Sequence, residues 1–235
     1  MDNFSDFFIG AYATSPTLSN WDSQKEIEYI GTIKKELNPI RGLELPFWGN
    51  DIHEHDSELF LKLLDKNWEY VLTCLPGNMK ALENNKFFGL ASDNEQGRLE
   101  AVKFYKKASE VVRKINNYFK SKKVINIAIA TSPSLKYDGV LSSSQSLKKS
   151  LIEISKFDWD GAKLNIEHCD SGRVKNPVKG FLDIDEEIEA ILEVNRTYNL
   201  NIGITINWAR SVIEYKDTNG ALKHIKKAKE NNLLK

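Results

Sequence analysis

The sequence predicts an α/β fold in which strand-helix units follow one another around a parallel sheet. Two observations carry that expectation. Short β-rich apolar runs alternate with longer stretches of 3.6-residue periodicity, the pattern of βαβ units. Each run also ends in polar, Gly or Pro residues, as a strand feeding a surface loop does. No Gly/Ser/Pro-rich linker or shift in composition divides the chain, so residues 1–235 are expected to form one domain.

The first strand is expected at Phe7–Thr14 (FFIGAYAT), and Asp22 then offers an N-cap to a helix over 23–37. The second strand falls at Gly42–Trp48 (GLELPFW), followed by a helix over 55–66, and the third at Tyr70–Pro76 (YVLTCLP). Ser92-x-x-Glu95 reads as a capping box that opens a long helix over 94–120. Its periodicity gathers Leu99, Val102, Ala108, Val111, Val112 and Ile115 on one face and leaves Arg98, Lys106, Lys107, Glu110, Arg113 and Lys114 largely elsewhere. The fourth strand is Val124–Thr131 (VINIAIAT), with a helix over 144–156, and the fifth is Lys163–Cys169 (KLNIEHC). Asp183 caps a helix over 184–198 with an acidic first turn. Asn201–Asn207 (NIGITIN) is the sixth strand, and a Lys-rich helix over 217–231 follows. One internal echo, Ala13-Thr-Ser-Pro-x-Leu18 against Ala130-Thr-Ser-Pro-x-Leu135, places two hydroxyl-rich strand ends on one face.

Composition narrows the function. The chain has 33 Lys+Arg against 33 Asp+Glu and a sequence pI of about 6.9, without a basic run interleaved with aromatics, so no nucleic-acid partner is expected. The acidic opening Met1-Asp-Asn-Phe-Ser-Asp fits neither a signal nor a transit peptide, and no apolar stretch approaches the ~20 residues that span a bilayer. Cys74 and Cys169 are too few for a disulfide framework and lack C-x-x-C spacing, which points to a reducing cytoplasm.

In a parallel α/β barrel, reactive groups sit at the C-terminal ends of strands. Glu167 stands out there, because an unpaired charge inside the buried-strand pattern KLNIEHC would cost several kcal/mol. Alternation puts Asn165 and Glu167 on one face and Leu164, Ile166 and His168 on the other. Glu167 then serves as metal ligand, general base or sugar-hydroxyl acceptor, or else as half of a structural ion pair. Glu44, flanked by Leu43 and Leu45, converges on it from strand two, with a catalytic or a structural role open. Asp51-x-His53-x-His55-Asp56 carries ligand-type side chains that could hold a metal, or it simply caps the next helix. His168 is a packing histidine or a site residue, and His224, on its Lys-rich helix, is expected at the surface. The loop from Asp170 to Phe181 brings Arg173, Lys175 and Lys179 to the mouth, where a phosphate or carboxylate would suit them. Trp48 and Trp208 could stack a sugar ring or fill the core.

At GLELPFW and KLNIEHCD the chain resembles the xylose-isomerase-like TIM barrels, the superfamily of sugar isomerases, sugar-phosphate epimerases and endonuclease-IV-type enzymes. FFGLASDNEQGR and IEHCDSGRVKNPVKGFLDIDEE more closely resemble an uncharacterised bacterial branch described only as a domain of unknown function. The resemblance implies a TIM-type (β/α) barrel and places its strand-five metal-binding glutamate on Glu167. Its strand-six Asp-x-x-His falls on Asn207-Trp208-Ala209-Arg210, where Asn is a poor ligand and Arg cannot bind a cation. A divalent metal is therefore disfavoured. The expected activity is sugar or sugar-phosphate isomerisation or epimerisation, with Glu167 and Glu44 as acid and base. Asn207, Arg210, Lys179, Trp48, His168 and Asp170 would contact a small carbohydrate, phosphorylated or not. The alternatives are a non-catalytic carbohydrate-binding or regulatory barrel, or a metal-independent glycoside hydrolase; a trinuclear-zinc endonuclease is disfavoured by the four histidines and the neutral charge. A homo-oligomer is left open.

Strand starts recur about every 39 residues, so eight units would need about 310. Six of the eight are expected in this chain, as the N-terminal part of a longer protein, a truncated allele, or a barrel whose gap a partner covers.

Overall fold

The computed structural model describes residues 7–37 and 39–234; the acidic opening over 1–6 lies outside the described residues. Six strands, β1 (Phe8–Ile9), β2 (Gly42–Pro46), β3 (Glu69–Thr73), β4 (Val124–Ile129), β5 (Lys163–His168) and β6 (Gly203–Ile206), form one sheet in sequence order. Every neighbouring pair is parallel. The sheet curls into a half-barrel of the kind an incomplete TIM-type barrel would make. Leu234 makes an isolated parallel bridge to Ile204, on the edge of β6 where a seventh strand would lie.

The helices are α1 (Ser23–Glu36), α2 (Ser57–Leu63), α3 (Leu75–Asn84), α4 (Glu95–Phe119), α5 (Ser144–Ile154), α6 (Ile184–Tyr198), α7 (Trp208–Tyr215) and α8 (Gly220–Glu230). None of the described helices is long and apolar enough to cross a membrane. Asp22 and Asp183 cap α1 and α6 as the sequence predicts, each accepting two backbone N–H groups. Strand alternation sends Leu43, Leu45, Leu72, Ile127, Ile129 and Ile166 to the helix-covered side, where all six are buried. Such side chains contribute about 1.5–3 kcal/mol each when taken fully from water.

Several expectations need correction. The first strand stops at Ile9, and Ala11–Thr14 forms a 3₁₀ turn instead. Two helices were unforeseen. In α3, Pro76 stands at the helix start, where its missing N–H costs nothing, and Asn207 accepts the Arg210 N–H to cap α7. Ser92 does not cap α4; Asn94 does, accepting from Gly97, while Ser92 accepts from Asn94. Arg98 lies on the buried side of α4, where it bonds Glu95 and reaches across to Glu153 of α5, both at 2.7 Å. Its charge is buried because two carboxylates meet it. His224 is fully buried in α8, which runs over Gly220–Glu230 rather than 217–231. Cys74 and Cys169 are free and fully buried.

Two glycines on helical or loop backbone test the packing in opposite directions. A Cβ on Gly89 would stand 2.0 Å from the Ser132 carbonyl oxygen, backbone against backbone, whereas one on Gly31 in α1 meets nothing within 4 Å. Gly89→Ala should lower stability by about 1–3 kcal/mol, and Gly31→Ala should raise it by about 0.5–1 kcal/mol through helix propensity. Urea midpoints of the two variants check the pair, and shifts of the same sign would contradict the packing described.

Candidate active site

Glu44 and Glu167 both lie on the concave, polar side of the sheet, away from the apolar residues that alternate with them. In register, Glu44 pairs along the row Val71, Asn126, Lys163, four residues below Glu167 on β5. A barrel shear of about one residue per strand offsets nearly all of that difference over three strands, so the two carboxylates come almost level. Burial, then the Glu167 charge, pushes the Glu44 carboxyl from its ordinary 4.5 up to about 7. No described protein group donates a hydrogen bond to Glu44, and its carboxylate rests against Gly10, where a Cβ would meet Oε2 at 2.9 Å.

Glu167 is fixed by two donors. Asn207 Nδ2 reaches its Oε1 at 2.8 Å, and Thr73 Oγ1 lies 3.5 Å from its Oε2. The amide cannot be reversed, because Asn207 Oδ1 accepts the Arg210 N–H at 3.2 Å. An N–H donor thus occupies the side of Glu167 that a cation would need. Arg210 points its guanidinium to Asp170, with Nη1 3.7 Å from Oδ1. The donor set around Glu167 therefore does not fit the divalent metal that the resemblance implies.

Asp170 is buried and organises its loop: Oδ2 accepts from Val178 and Lys179 N–H groups at 2.6 and 2.8 Å, while Oδ1 has no hydrogen-bond partner. Lys179 lies beside Arg210; burial first and that cation second lower its pKa. Arg173 instead pairs with Glu186 at 2.7 Å on the surface. Two further groups on the concave side, Asn126 and Asn165, leave their Oδ1 atoms without partners.

Tyr12, which no sequence motif marks, also belongs to this side. Burial, then the Glu44 and Glu167 charges, pushes its hydroxyl up to about 12. Strand alternation gives no signal for it, because the chain leaves β1 at Ile9 and Tyr12 stands in the 3₁₀ turn. A cleft beside β1 and β2 is lined by Tyr12, Glu44, Trp48, His53 and His55. His53 Nδ1 accepts the N–H groups of His55 and Asp56 at 3.2 and 3.1 Å, which puts its hydrogen on Nε2. With that hydrogen in place it has no lone pair left for a cation. His55 stacks on Trp21, and Asp56 caps α2. Trp208 is 52% exposed at the start of α7, outside the core.

His168 faces away from Glu167, behind the sheet. Its Nδ1 lies 2.7 Å from Glu187 Oε2, and its Nε2 is 3.4 Å from Glu214. Burial works to lower its pKa, but the two carboxylates outweigh it and bring it to about 9. It does not line the mouth with Glu44 and Glu167.

This is a parallel (β/α) half-barrel with two carboxylates on its concave face, one of which raises the proton affinity of the other. The chain belongs to the DUF4862 family, a domain of unknown function whose model matches residues 8–235. It is also similar to the uncharacterized protein STM3670 of Salmonella typhimurium strain LT2, with 32% identity over 230 residues, covering 98% of this chain and 71% of that protein.

The raised Glu44 pKa has a definite pH signature. The folded state binds this proton more tightly than the unfolded chain, so its contribution to stability is full below about pH 4.5 and is lost as pH rises through about 7. Glu44→Gln removes that loss. The stability of Glu44→Gln relative to wild type should rise by about 1–3 kcal/mol between about pH 5 and about pH 8. Denaturant titrations across that range check it, and a pH-independent difference would contradict the assignment.

Proposed function

We propose that this protein is an enzyme of carbohydrate chemistry, an isomerase or epimerase of a sugar or sugar phosphate built on a xylose-isomerase-like barrel. One observation carries the reading: two carboxylates share the concave mouth, one pushed up to about 7 and the other pinned by an amide. A group that changes protonation near neutral pH is suited to moving a proton to and from carbon or oxygen, an effect worth about 10²–10⁴ in rate. In this reading Glu167, held in place by Asn207, takes the proton from one carbon while Glu44 protonates the neighbouring carbonyl oxygen; Glu44 then takes a proton back from the other hydroxyl as Glu167 returns its own to the adjacent carbon. The unpartnered Asn126 and Asn165 carbonyl oxygens accept substrate hydroxyls. Lys179 and Arg210 provide the positive charge for a phosphate or for ring hydroxyls, and Trp48 offers a face for the ring. No step passes through a metal. The six units are taken as those of an eight-unit barrel, supported by the sequential parallel order and by the Leu234 bridge beyond β6. A cytoplasmic setting accords with the two free thiols.

A second reading, a carbohydrate-binding barrel without turnover, is favoured by Asn207 and Arg210 standing where the resembling enzymes carry Asp and His. One experiment separates the two. Monosaccharides and sugar phosphates are incubated with the protein in heavy water, and deuterium entering carbon-bound positions is followed by NMR. Isomerisation with deuterium incorporation, slowed at least about 10²-fold in Glu167→Gln and in Glu44→Gln, is the expected result. Ligand-induced stabilisation without exchange would replace the enzyme reading by the binding one.

A further inference from the structure

Behind the sheet, on the side away from Glu44 and Glu167, three ligand-type side chains converge from β5, α7 and α8. His168, Glu214 and His224 each bring one ligand atom, and these atoms all lie within 4.8 Å of one another. The surrounding hydrogen bonds decide the histidine tautomers. Ser211 Oγ donates to the Asn207 carbonyl at 3.1 Å, so it accepts from His224 Nδ1–H at 2.9 Å. Glu187 Oε2 accepts from His168 Nδ1–H at 2.7 Å, and Glu187 Oε1 accepts from Thr131 at 2.6 Å. Both Nδ1 atoms therefore carry hydrogens that are already used. Both Nε2 atoms are buried and lack a hydrogen bond; that of His168 lies 3.4 Å from Glu214 Oε2 and that of His224 lies 3.4 Å from Glu214 Oε1. The two imidazoles are fully buried.

Two arguments place a cation among them. A charge-assisted N–H···O bond closes to about 2.7–2.9 Å, whereas each nitrogen stands 3.4 Å from its own oxygen of the Glu214 carboxylate, a spacing that leaves room for a cation held at about 2.0–2.1 Å from its ligands. The charge also needs balancing. Among the described residues Glu187 and Glu214 form ion pairs with these histidines and with no Lys or Arg. Once His168 is neutral and free to coordinate through Nε2, the two carboxylates have no other cation among the described residues to balance them. We propose that His168, His224 and Glu214 bind a divalent first-row transition metal, Zn²⁺ in preference, with Glu187 and Ser211 orienting the two rings from behind. The site is structural in placement: it clamps β5 to α7 and α8. Glu214 also accepts the Ser171 N–H at 2.8 Å, which ties in the loop that follows β5. The inference stands apart from the carbohydrate reading, which concerns the opposite side of the sheet.

The test uses the full chain, stripped with a chelator and titrated with Co²⁺, then with Zn²⁺. The expected result is one equivalent of Co²⁺ bound with the visible d–d absorption of a low-coordinate site, displaced by Zn²⁺, and a Tm that rises with zinc. Glu214→Gln and His224→Gln should weaken binding at least tenfold, while Glu167→Gln and His53→Gln leave it unchanged. X-ray absorption at the zinc edge of the wild-type protein reads the ligands without any substitution, in case the buried-histidine variant does not fold. Two imidazoles and a carboxylate oxygen support the site. No stoichiometric binding by wild type, a sulfur ligand, or binding that survives Glu214→Gln and disappears in Glu167→Gln or His53→Gln overturns it.

Discussion

Taking carboxylates out of water is the constraint around which the strand ends are arranged. Glu26 on α1 is buried because Ser15 and Thr17 donate to it at 2.9 and 2.6 Å, and Glu187 on α6 because Thr131 and His168 do. The repeated Ala-Thr-Ser-Pro segments after β1 and β4 acquire a physical role here: both present hydroxyls that satisfy a helix carboxylate, although through different positions of the repeat. Glu167 is met by an amide and a threonine. Glu44 is the exception. Among the described residues no group donates to it, and its proton affinity moves into the neutral range.

The period of two along each strand separates two chemistries across a single layer of backbone. Glu167 and His168 are adjacent in sequence yet belong to different environments, one open to the concave mouth and one sealed under α6, α7 and α8. Asn207 couples them. Its side chain pins Glu167 and caps α7, while its carbonyl accepts from the serine that orients His224. Asn207 is thus bonded to both environments at once.

The parallel order of the strands, the caps at Asp22 and Asp183, and the facing of Glu44 and Glu167 were legible because each follows from a local rule: period, cap chemistry or alternation. Failures arose where one signal masked another. Leu75-Pro-Gly77 reads as a strand ending in a turn, yet proline is at home in the first turn of a helix, and α3 begins there. Asn207-Trp-Ala-Arg210 reads as a departure from a metal motif, and that signal masks the helix cap its asparagine also forms. His224 was assigned to the surface from the lysines around it, although Ala221, His224 and Ala228 share one helical face and all are buried. Tyr12 and Glu214 were not legible as site residues, because their partners lie in distant segments.

The two cysteines carry a further consequence. Cys74 follows β3 and Cys169 follows β5, both sealed from solvent, with burial raising both thiol pKa values. A thiolate is the form that reacts with alkylating reagents, so both positions stay silent while the strand ends are closed. Each then becomes an intrinsic clock: the rate at which a reagent modifies it counts the openings of its own strand end, Cys74 for the carboxylate side of β3 and Cys169 for the junction of mouth and rear cluster.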